Sequence, residues 1–332
     1  MTLPASGAIS MSQVRTELGA TGAISLGQAS VRALAGVASG AISLNVLHGK
    51  ANAVNASVTI SANTANYTLN PAAVAGYSAG RTNVTLTINS GVYVYATATS
   101  NAGLTVSGFV SGDTITIINN GFIMGMGGSS NFVAANTGTA GSPGGSAISL
   151  SNSVFITNNS YIGGGGGAGS GSQSGGGGGA GGGNGSGPGY NVSGGCLGGG
   201  PGAKGANGAG SGNPAMALRF GGGGGGRQFP GVGGVADGAY GYGGGSGGSG
   251  GCFIVQYNQT GGQGAGGSAN AAGGNAGLSG SATGGGGGGG WGASGGNAGS
   301  NLVAGGAGGK AVALNGFSVT WNATGTRYGA IA

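Results

Sequence analysis

Two stretches of the chain decide the fold that we predict for its middle part: ITIINNGFIMG at residues 115–125 and VFITNNSYIGG at residues 154–164. Both begin with apolar and β-branched residues, continue with Asn-Asn and an aromatic residue, and end by entering a glycine stretch. Similar units that stack on each other are typical of solenoid proteins, in which each repeat covers the apolar face of its neighbour. The repeat therefore predicts a small solenoid-like β layer.

The residues around this repeat predict a β-rich domain over residues 51–160. β-branched and aromatic residues run or alternate at 84–88, 92–95 and 104–106, and turn-forming residues separate these runs. Residues 311–332 return to the same alternation. We expect this C-terminal segment to form a strand that closes on the β layer.

Glycine dominates residues 161–310, in runs such as 163–167, 221–226 and 284–290. The chain holds 94 glycines among 332 residues, but not at every third place, so a collagen helix is excluded. Glycine backbones approach each other closely, and a polyproline II-type helix has no internal hydrogen bonds, so its N–H and C=O groups need neighbours. The runs therefore predict a polyglycine II helix bundle whose inserts are loops at its two ends. The predicted fold class is mainly β plus non-regular structure.

Residues 1–50 predict short helices, because the motif Ala-Ile-Ser follows a glycine three times and opens a short helical pattern each time. Ser10 with Gln13 and Ser25 with Gln28 match capping boxes, and glycines supply helix stops. Helices this short are marginal alone in water, so they dock on a partner, on copies of themselves or on the rest of the chain. We predict a virion attachment segment whose candidate contacts are the apolar residues Ile9, Met11, Val14, Leu18, Ile24, Leu26, Val31, Leu34, Ile42, Leu44 and Leu47.

Charge and hydropathy exclude several classes of function. Nine Lys and Arg residues against three Asp and Glu residues give a formal net charge of +6. The basic residues are scattered along the chain, so we expect no nucleic-acid partner. No stretch approaches the roughly 18 apolar residues of a membrane span, so we expect no membrane insertion. The first residues lack the basic and apolar regions of a secretory signal.

Catalytic chemistry has almost no raw material in this sequence. The three acidic residues, Glu17, Asp113 and Asp237, lie in three different segments. No paired carboxylates, nucleophile triad or metal-ligand cluster can be assembled from one segment, so we expect no enzyme, no cofactor and no metal. Cys196 and Cys252 are compatible with two thiols or with one disulfide formed in an oxidising medium.

Three features of the chain resemble tailed-bacteriophage tail-fibre or tail-tip adhesins. The opening LPASGAISMSQV at residues 3–14 is similar to the start of many tailed-phage virion proteins, and NATGTRYGAI at residues 322–331 resembles the end of many glycine-rich tail proteins. The glycine runs between them look like the polyglycine-helix domain of the tip adhesins on T-even-type long tail fibres. The N-terminus does not resemble that of those adhesins, so their manner of attachment does not carry over.

The resemblance implies that loops at the free end of the glycine block bind a host outer-surface protein or glycan. It also implies other phage tail proteins as partners and a place in the virion tail. The missing secretory signal predicts assembly in the host cytoplasm. Both a homotrimer and a single chain remain open. Candidate receptor contacts in the inserts are Tyr190, Met216, Arg219, Phe220, Arg227, Phe229, Tyr240, Tyr242, Tyr257 and Trp291.

The sequence leaves two other interpretations of the glycine block open. Tyr240 and Tyr242 are equally compatible with capping the glycine helices, and Trp291 is also a candidate for clamping them. Separately, the block is compatible with a stiff spacer in a tail-tip or fibre protein without direct receptor contact. An ice-binding or cell-surface glycine-rich protein is the third reading. It is disfavoured because the phage-like termini would then have no explanation.

Overall fold

A computed structural model describes residues 3–128, 140–170, 289–297 and 303–332, and the backbone of three further strands at 241–242, 251–254 and 259–260. The chain divides into two compact units. Unit 1 comprises Met1–Val58, Pro71–Thr85 and Phe109–Thr116, and unit 2 comprises Thr59–Asn70, Leu86–Gly108 and Ile117–Ala332.

Unit 1 opens with helix α1 (Met11–Leu18), helix α2 (Ala29–Ala35) and a 3₁₀ turn at Leu44–Leu47. At α1 the predicted capping box is confirmed, because the Ser10 side chain accepts from the backbone N–H of Gln13 while the Gln13 side chain accepts from the N–H of Ser10. The second predicted capping box is wrong. Helix α2 begins only after Gln28, which makes no side-chain cap, because Gly27 inside the proposed first turn disfavours helix.

The apolar residues of these short helices form a hydrophobic cluster of their own. Leu3, Ile9, Val14, Val31, Ala35 and Leu47 are buried in it, and Leu18, Ile24, Leu26, Leu34, Val37, Ile42 and Leu44 pack against it half-buried. The segment thus gains from internal packing the stability that its helices lack individually.

The strands follow in chain order with short connections. They are β1 (Val54–Ile60), β2 (Thr64–Ala65), β3 (Tyr67–Leu69), β4 (Thr82–Ile88), β5 (Tyr93–Tyr95), β6 (Leu104–Val106), β7 (Thr114–Asn119), β8 (Phe122–Met124), β9 (Ile148–Leu150), β10 (Val154–Asn158), β11 (Tyr161–Gly163), β12 (Gly241–Tyr242), β13 (Gly251–Ile254), β14 (Gln259–Thr260), β15 (Val312–Ala313), β16 (Val319–Ala323) and β17 (Thr326–Tyr328). A second 3₁₀ turn lies at Pro71–Ala73.

The strand order is that of a solenoid, as the internal repeat predicts. The first sheet has the order β1-β4-β7-β10-β16, the second β17-β11-β8-β5-β2 and the third β15-β9-β6-β3. Every neighbouring pair in the second and third sheets is parallel. Each of the first four coils therefore adds one strand to each sheet, and the last coil adds β16 and β17. The two repeated stretches belong to successive coils and supply β7–β8 and β10–β11.

Alternation along the strands places the core between the sheets. In β4, Val84, Leu86 and Ile88 are buried while the residues between them are half-buried. The second sheet buries Val94, Ile123 and Ile162, which are paired in register. The third sheet buries the residues that flank its central threonine and serine positions, so the solenoid interior is filled by aliphatic side chains.

The repeated Asn-Asn dipeptides form a ladder at the corner between the first two sheets. Asn119 and Asn158 are buried, and Asn119 Nδ2 donates to Asn158 Oδ1 at 2.8 Å and to the carbonyl of Tyr161 at 3.2 Å. Asn158 Nδ2 in turn donates to the carbonyls of Thr324 and Thr326. The corner amides thereby satisfy backbone groups that the turn leaves out of the sheets.

The C-terminal residues return to the solenoid as predicted, but as three strands instead of one. β15 pairs with β9, β16 with β10 and β17 with β11, all in parallel. β15 completes the coil of β10 and β11, and β16 and β17 cover the edges that this coil leaves in the first and second sheets, which a single strand could not do.

Candidate functional site

The glycine region leaves the solenoid between β11 and β15, the second and third strands of one coil. The chain between β8 and β9 leaves the preceding coil at the same place. We call the described residues of these excursions the glycine base: residues 125–128, 140–147, 163–170, 289–297 and 303–310. Apart from residues 125–128 and 140–147, which precede the glycine region, it is the part of that region that the structure describes with side chains.

Residues 163–170 are the central segment of the glycine base, and the hydrogen bonds around this segment have a period of three residues. Its six consecutive carbonyls accept in rotation from three neighbouring segments, and every donor–acceptor distance lies between 2.7 and 2.8 Å. The donors to the carbonyls of Gly163, Gly164, Gly165, Gly166, Gly167 and Ala168 are, in that order, the N–H groups of Gly125, Gly292, Gly309, Gly128, Gly289 and Gly306.

The N–H groups of the central segment follow the same rule. Those of Gly165 and Ala168 donate to Gly145 and Ser142, and those of Gly167 and Ser170 donate to Ala293 and Gly296. Two further segments bond to each other at every third residue. The N–H groups of Gly141, Gly144 and Ala147 donate to the carbonyls of Ala304, Ala307 and Lys310. One backbone thus bonds to neighbours in several directions, unlike a sheet strand, which has two.

Contacts in the glycine base leave no room for side chains at its centre. A Cβ added at Gly165 would overlap the carbonyl of Met126, and one at Gly167 would overlap the carbonyl of Gly306. Residues 161–170 are buried throughout. The glycines here are therefore required by close approach of backbones.

Trp291 fastens the glycine base to the second sheet. It has no exposed surface and packs edge-on against Tyr161, with ring centroids 5.8 Å apart. Gly163 makes the space, because a Cβ there would lie 2.7 Å from Trp291 Cε3. Burial raises the pKa of Tyr161 above its usual range, and the neighbouring Tyr93 and Tyr328 raise it further. The prediction of Trp291 as a receptor contact is wrong, because its fully buried side chain packs the glycine base against the second sheet.

The other predicted receptor contacts lie outside the residues whose side chains are described. These are Tyr190, Met216, Arg219, Phe220, Arg227, Phe229, Tyr240, Tyr242 and Tyr257. The backbone of Tyr242 is in β12, which pairs antiparallel with β13, and β13 pairs antiparallel with β14. The sequence patterns did not predict this antiparallel sheet within the glycine region.

The predicted attachment residues are largely turned toward one another. Ile9, Val14, Val31 and Leu47 are buried, so they are not available to another tail protein, and this part of the prediction is wrong. Leu18, Ile24, Leu26, Leu34, Ile42 and Leu44 are half-buried at the rim of that cluster, and Met11 is half-buried as well. Val46, which the sequence did not single out, is 38% exposed.

The two carboxylates in the described residues accept hydrogen bonds from groups of unit 1. Glu17 Oε1 accepts from the N–H of Asn52 at 2.7 Å. Asp113 accepts from the Tyr77 hydroxyl at 2.6 Å and from the N–H groups of Thr82 and Val110. Burial by itself raises the pKa of Asp113, but these hydrogen bonds outweigh it and the net pKa lies below the usual value. Burial, with the hydrogen bond and charge of Asp113, raises the pKa of Tyr77 to about 12.

Within the described parts of the chain, no three His, Cys, Asp or Glu side chains come together as metal ligands would. In the same residues, no helix has the length and apolar character needed to cross a bilayer.

Comparisons with known proteins give two matches. Residues 55–219 match the family model of the phage tail fibre adhesin Gp38. The chain is also similar to a solved structure described as the gp37-gp38 adhesin tip complex of the bacteriophage S16 long tail fiber, with 18% identity and a TM-score of 0.42 over 98% of this chain and 99% of that chain. No curated protein matches the chain.

Proposed function

We propose that this chain, of which residues 55–219 match the phage tail fibre adhesin Gp38 model, carries in its glycine region a polyglycine II bundle whose loops recognise a receptor on the host surface. The match supports a tail-associated adhesin with a place in the phage tail and a binding role, which agrees with the resemblance of its termini. We further propose the polyglycine II bundle, its receptor contacts and the absence of an enzymatic activity.

The observation that carries the proposal is the three-residue rotation of hydrogen bonds in the glycine base. A polyproline II-type helix has three residues per turn, so its carbonyls point in three directions in turn and return after three residues. The runs at 221–226 and 284–290 are long enough to extend such a lattice, since seven residues span roughly 22 Å at 3.1 Å per residue.

A stiff lattice of this kind places its inserts at its two ends. The inserts carry tyrosines and arginines, among them Arg227, Tyr240 and Tyr242. Tyrosine offers a large amphipathic contact area at a small cost in conformational entropy, which suits a binding loop between glycines. The chemistry fits a bacterial outer-surface protein or glycan as the receptor.

Attachment to other tail proteins is assigned to the N-terminal segment. Its buried apolar residues are satisfied internally, so the contact belongs to what remains exposed, the half-buried rim and Val46. Together these residues are the apolar surface of the segment that another tail protein can contact.

Adsorption of the purified full chain to susceptible bacteria tests the receptor proposal. We expect the protein to bind these cells and to compete with virions for adsorption. Arg227→Ala and Tyr240→Ala should each weaken binding about tenfold or more, as truncation of an interface anchor does. Flow cytometry with labelled protein measures the change.

Arg15→Ala is the matched control, because Arg15 is exposed on α1 outside the glycine region. It should bind like the unaltered protein, and all variants should keep the same melting temperature. The spacer function would be favoured by undiminished adsorption of virions in which every insert of the glycine region has been exchanged. Recognition would then lie on another chain.

A further inference from the structure

We infer that a polar groove on the third sheet of unit 2 is a second binding site, for a neutral saccharide. The groove has a volume of about 340 Å³. It is lined by Asn66, Thr68, Thr99, Ser100, Asn101, Ala102, Thr105, Ser146 and Ser149. The inference does not depend on the glycine region, because none of these residues belongs to the inserts assigned to receptor contact.

The floor of the groove is a row of hydroxyl groups. Thr68, Thr105 and Ser149 are paired in register on three neighbouring parallel strands, so their hydroxyls repeat at about 4.8 Å, the spacing of strands in a sheet. They face outward, because the flanking residues of β6 and β9 are buried in the core. Ser149 Oγ accepts from Asn315 Nδ2 at 3.1 Å, which holds one end of the row.

The wall of the groove is the connection between β5 and β6, and it is held rigidly. Asn66 Nδ2 donates to Thr97 Oγ1 at 2.6 Å, and Asn66 Oδ1 accepts from the Thr97 N–H at 3.0 Å. Asn66 adopts a φ of 48°, a conformation that most residues avoid. On the other side the connection lies so close to Gly145 that a Cβ there would be 3.0 Å from Thr99 backbone atoms. A fixed wall lowers the entropy cost of binding.

Four polar side chains of the groove are free to bond a ligand. Within the described residues, no hydrogen bond engages the side chains of Thr68, Thr105, Ser100 or Asn101. Hydroxyls and amides both donate and accept, so together they complement a ligand whose own groups do both. The hydroxyls of a sugar ring have this property.

The lining also excludes other ligand classes. It contains no charged side chain, so a phosphate or carboxylate would leave water without a cationic partner. Ala102 is its single apolar residue, so it has no pocket for an apolar side chain of a peptide. The volume lies at the small end of the range for small-molecule sites, which fits one or two sugar rings.

Saturation-transfer NMR on the full chain tests the inference, with D-glucose, D-galactose, D-mannose and N-acetyl-D-glucosamine as probes. We expect saturation transfer to at least one sugar. Thr105→Val removes the central hydroxyl while keeping the side-chain shape, and Asn101→Ala removes one amide of the wall. Each should weaken binding of that sugar about tenfold, as loss of one well-placed hydrogen bond does.

Thr87→Val is the matched control, because Thr87 is a half-buried threonine between buried residues of β4 in a different sheet. It should bind the sugar like the unaltered protein, and melting temperatures will show that all variants fold. Saturation transfer to none of the four sugars overturns the inference. Equal transfer in the Thr105→Val variant and the unaltered protein also overturns it.

Discussion

At the scale of single residues, a missing Cβ decides where backbones of the glycine base meet. Gly165→Ala would place a methyl group against the Met126 carbonyl. Overpacking of this kind costs about 1–3 kcal/mol, because the segments must separate or a hydrogen bond must break. We expect Gly165→Ala to lower the free energy of unfolding by that amount, measured in urea.

Gly22→Ala is the control for this prediction. A Cβ at Gly22 meets nothing within 4 Å, so the substitution should change the free energy of unfolding by less than about 0.5 kcal/mol. Equal stability of the two variants would show that the backbones around Gly165 are not packed as closely as described.

A second residue-scale prediction concerns pH and Asp113. Its folded pKa is lowered, so its contribution to stability is present above the unfolded pKa, about 3.9, and is lost as pH falls through the folded value. Asp113→Asn cannot titrate and keeps only one acceptor oxygen. We expect this variant to be less stable than the unaltered protein near neutral pH, and the difference to narrow as pH falls from about 6 to about 3.

Thermal melting across that pH range measures the difference, with Asp113→Asn and the unaltered chain in the same buffers. A difference that stays constant with pH would contradict the hydrogen-bonded state of Asp113. Val110 and Thr82 donate to its two oxygens, so the variant keeps the shape of the side chain but loses the charge and one of the two acceptors.

At the scale of elements, the asparagine ladder joins successive coils of the solenoid. Asn158 is buried and its amide bonds to Asn119 on one side and to the carbonyls of Thr324 and Thr326 on the other. Asn158→Ala removes all three hydrogen bonds from this corner, and loss of the partner of a buried group costs about 1–3 kcal/mol. We expect a clear loss of stability in urea denaturation.

The neighbouring Asn159→Ala is the control within the same turn. Asn159 is exposed and its Nδ2 donates to Asn120 Oδ1 at 2.8 Å, so water replaces the lost partner. Its cost should stay below about 1 kcal/mol. If Asn159→Ala destabilised the protein as much as Asn158→Ala, the ladder would not be what holds the corner.

At the scale of the whole molecule, attachment to the tail and binding to the host are assigned to different residues. Val46→Glu puts a charge on an exposed site beside a closed apolar cluster, so folding should be preserved. We expect virions carrying it to lack this protein, while the purified variant still adsorbs to cells. Mass spectrometry of purified particles measures incorporation, and normal incorporation would place the attachment surface elsewhere.

Several features were predictable because their signal is local or repeats. The two Asn-Asn stretches indicated stacked coils, since every coil must turn the same corner and bury the same strand positions. Ser10 and Gln13 lie in one helical turn, so their capping box was visible in the sequence. The same reasoning failed at Ser25, where Gly27 delays the helix.

By itself, the sequence determined the stacked β coils, the short N-terminal helices and the glycine segments, because each depends on neighbouring residues or on a repeat. Only the tertiary structure decided the role of Trp291, which packs against Tyr161 and Gly163, more than a hundred residues away in the chain. It also decided that the apolar residues of 1–50 face each other and that hydroxyls of three coils align in one groove. Such outcomes depend on which surfaces from distant parts of the chain meet, and local sequence patterns do not encode this.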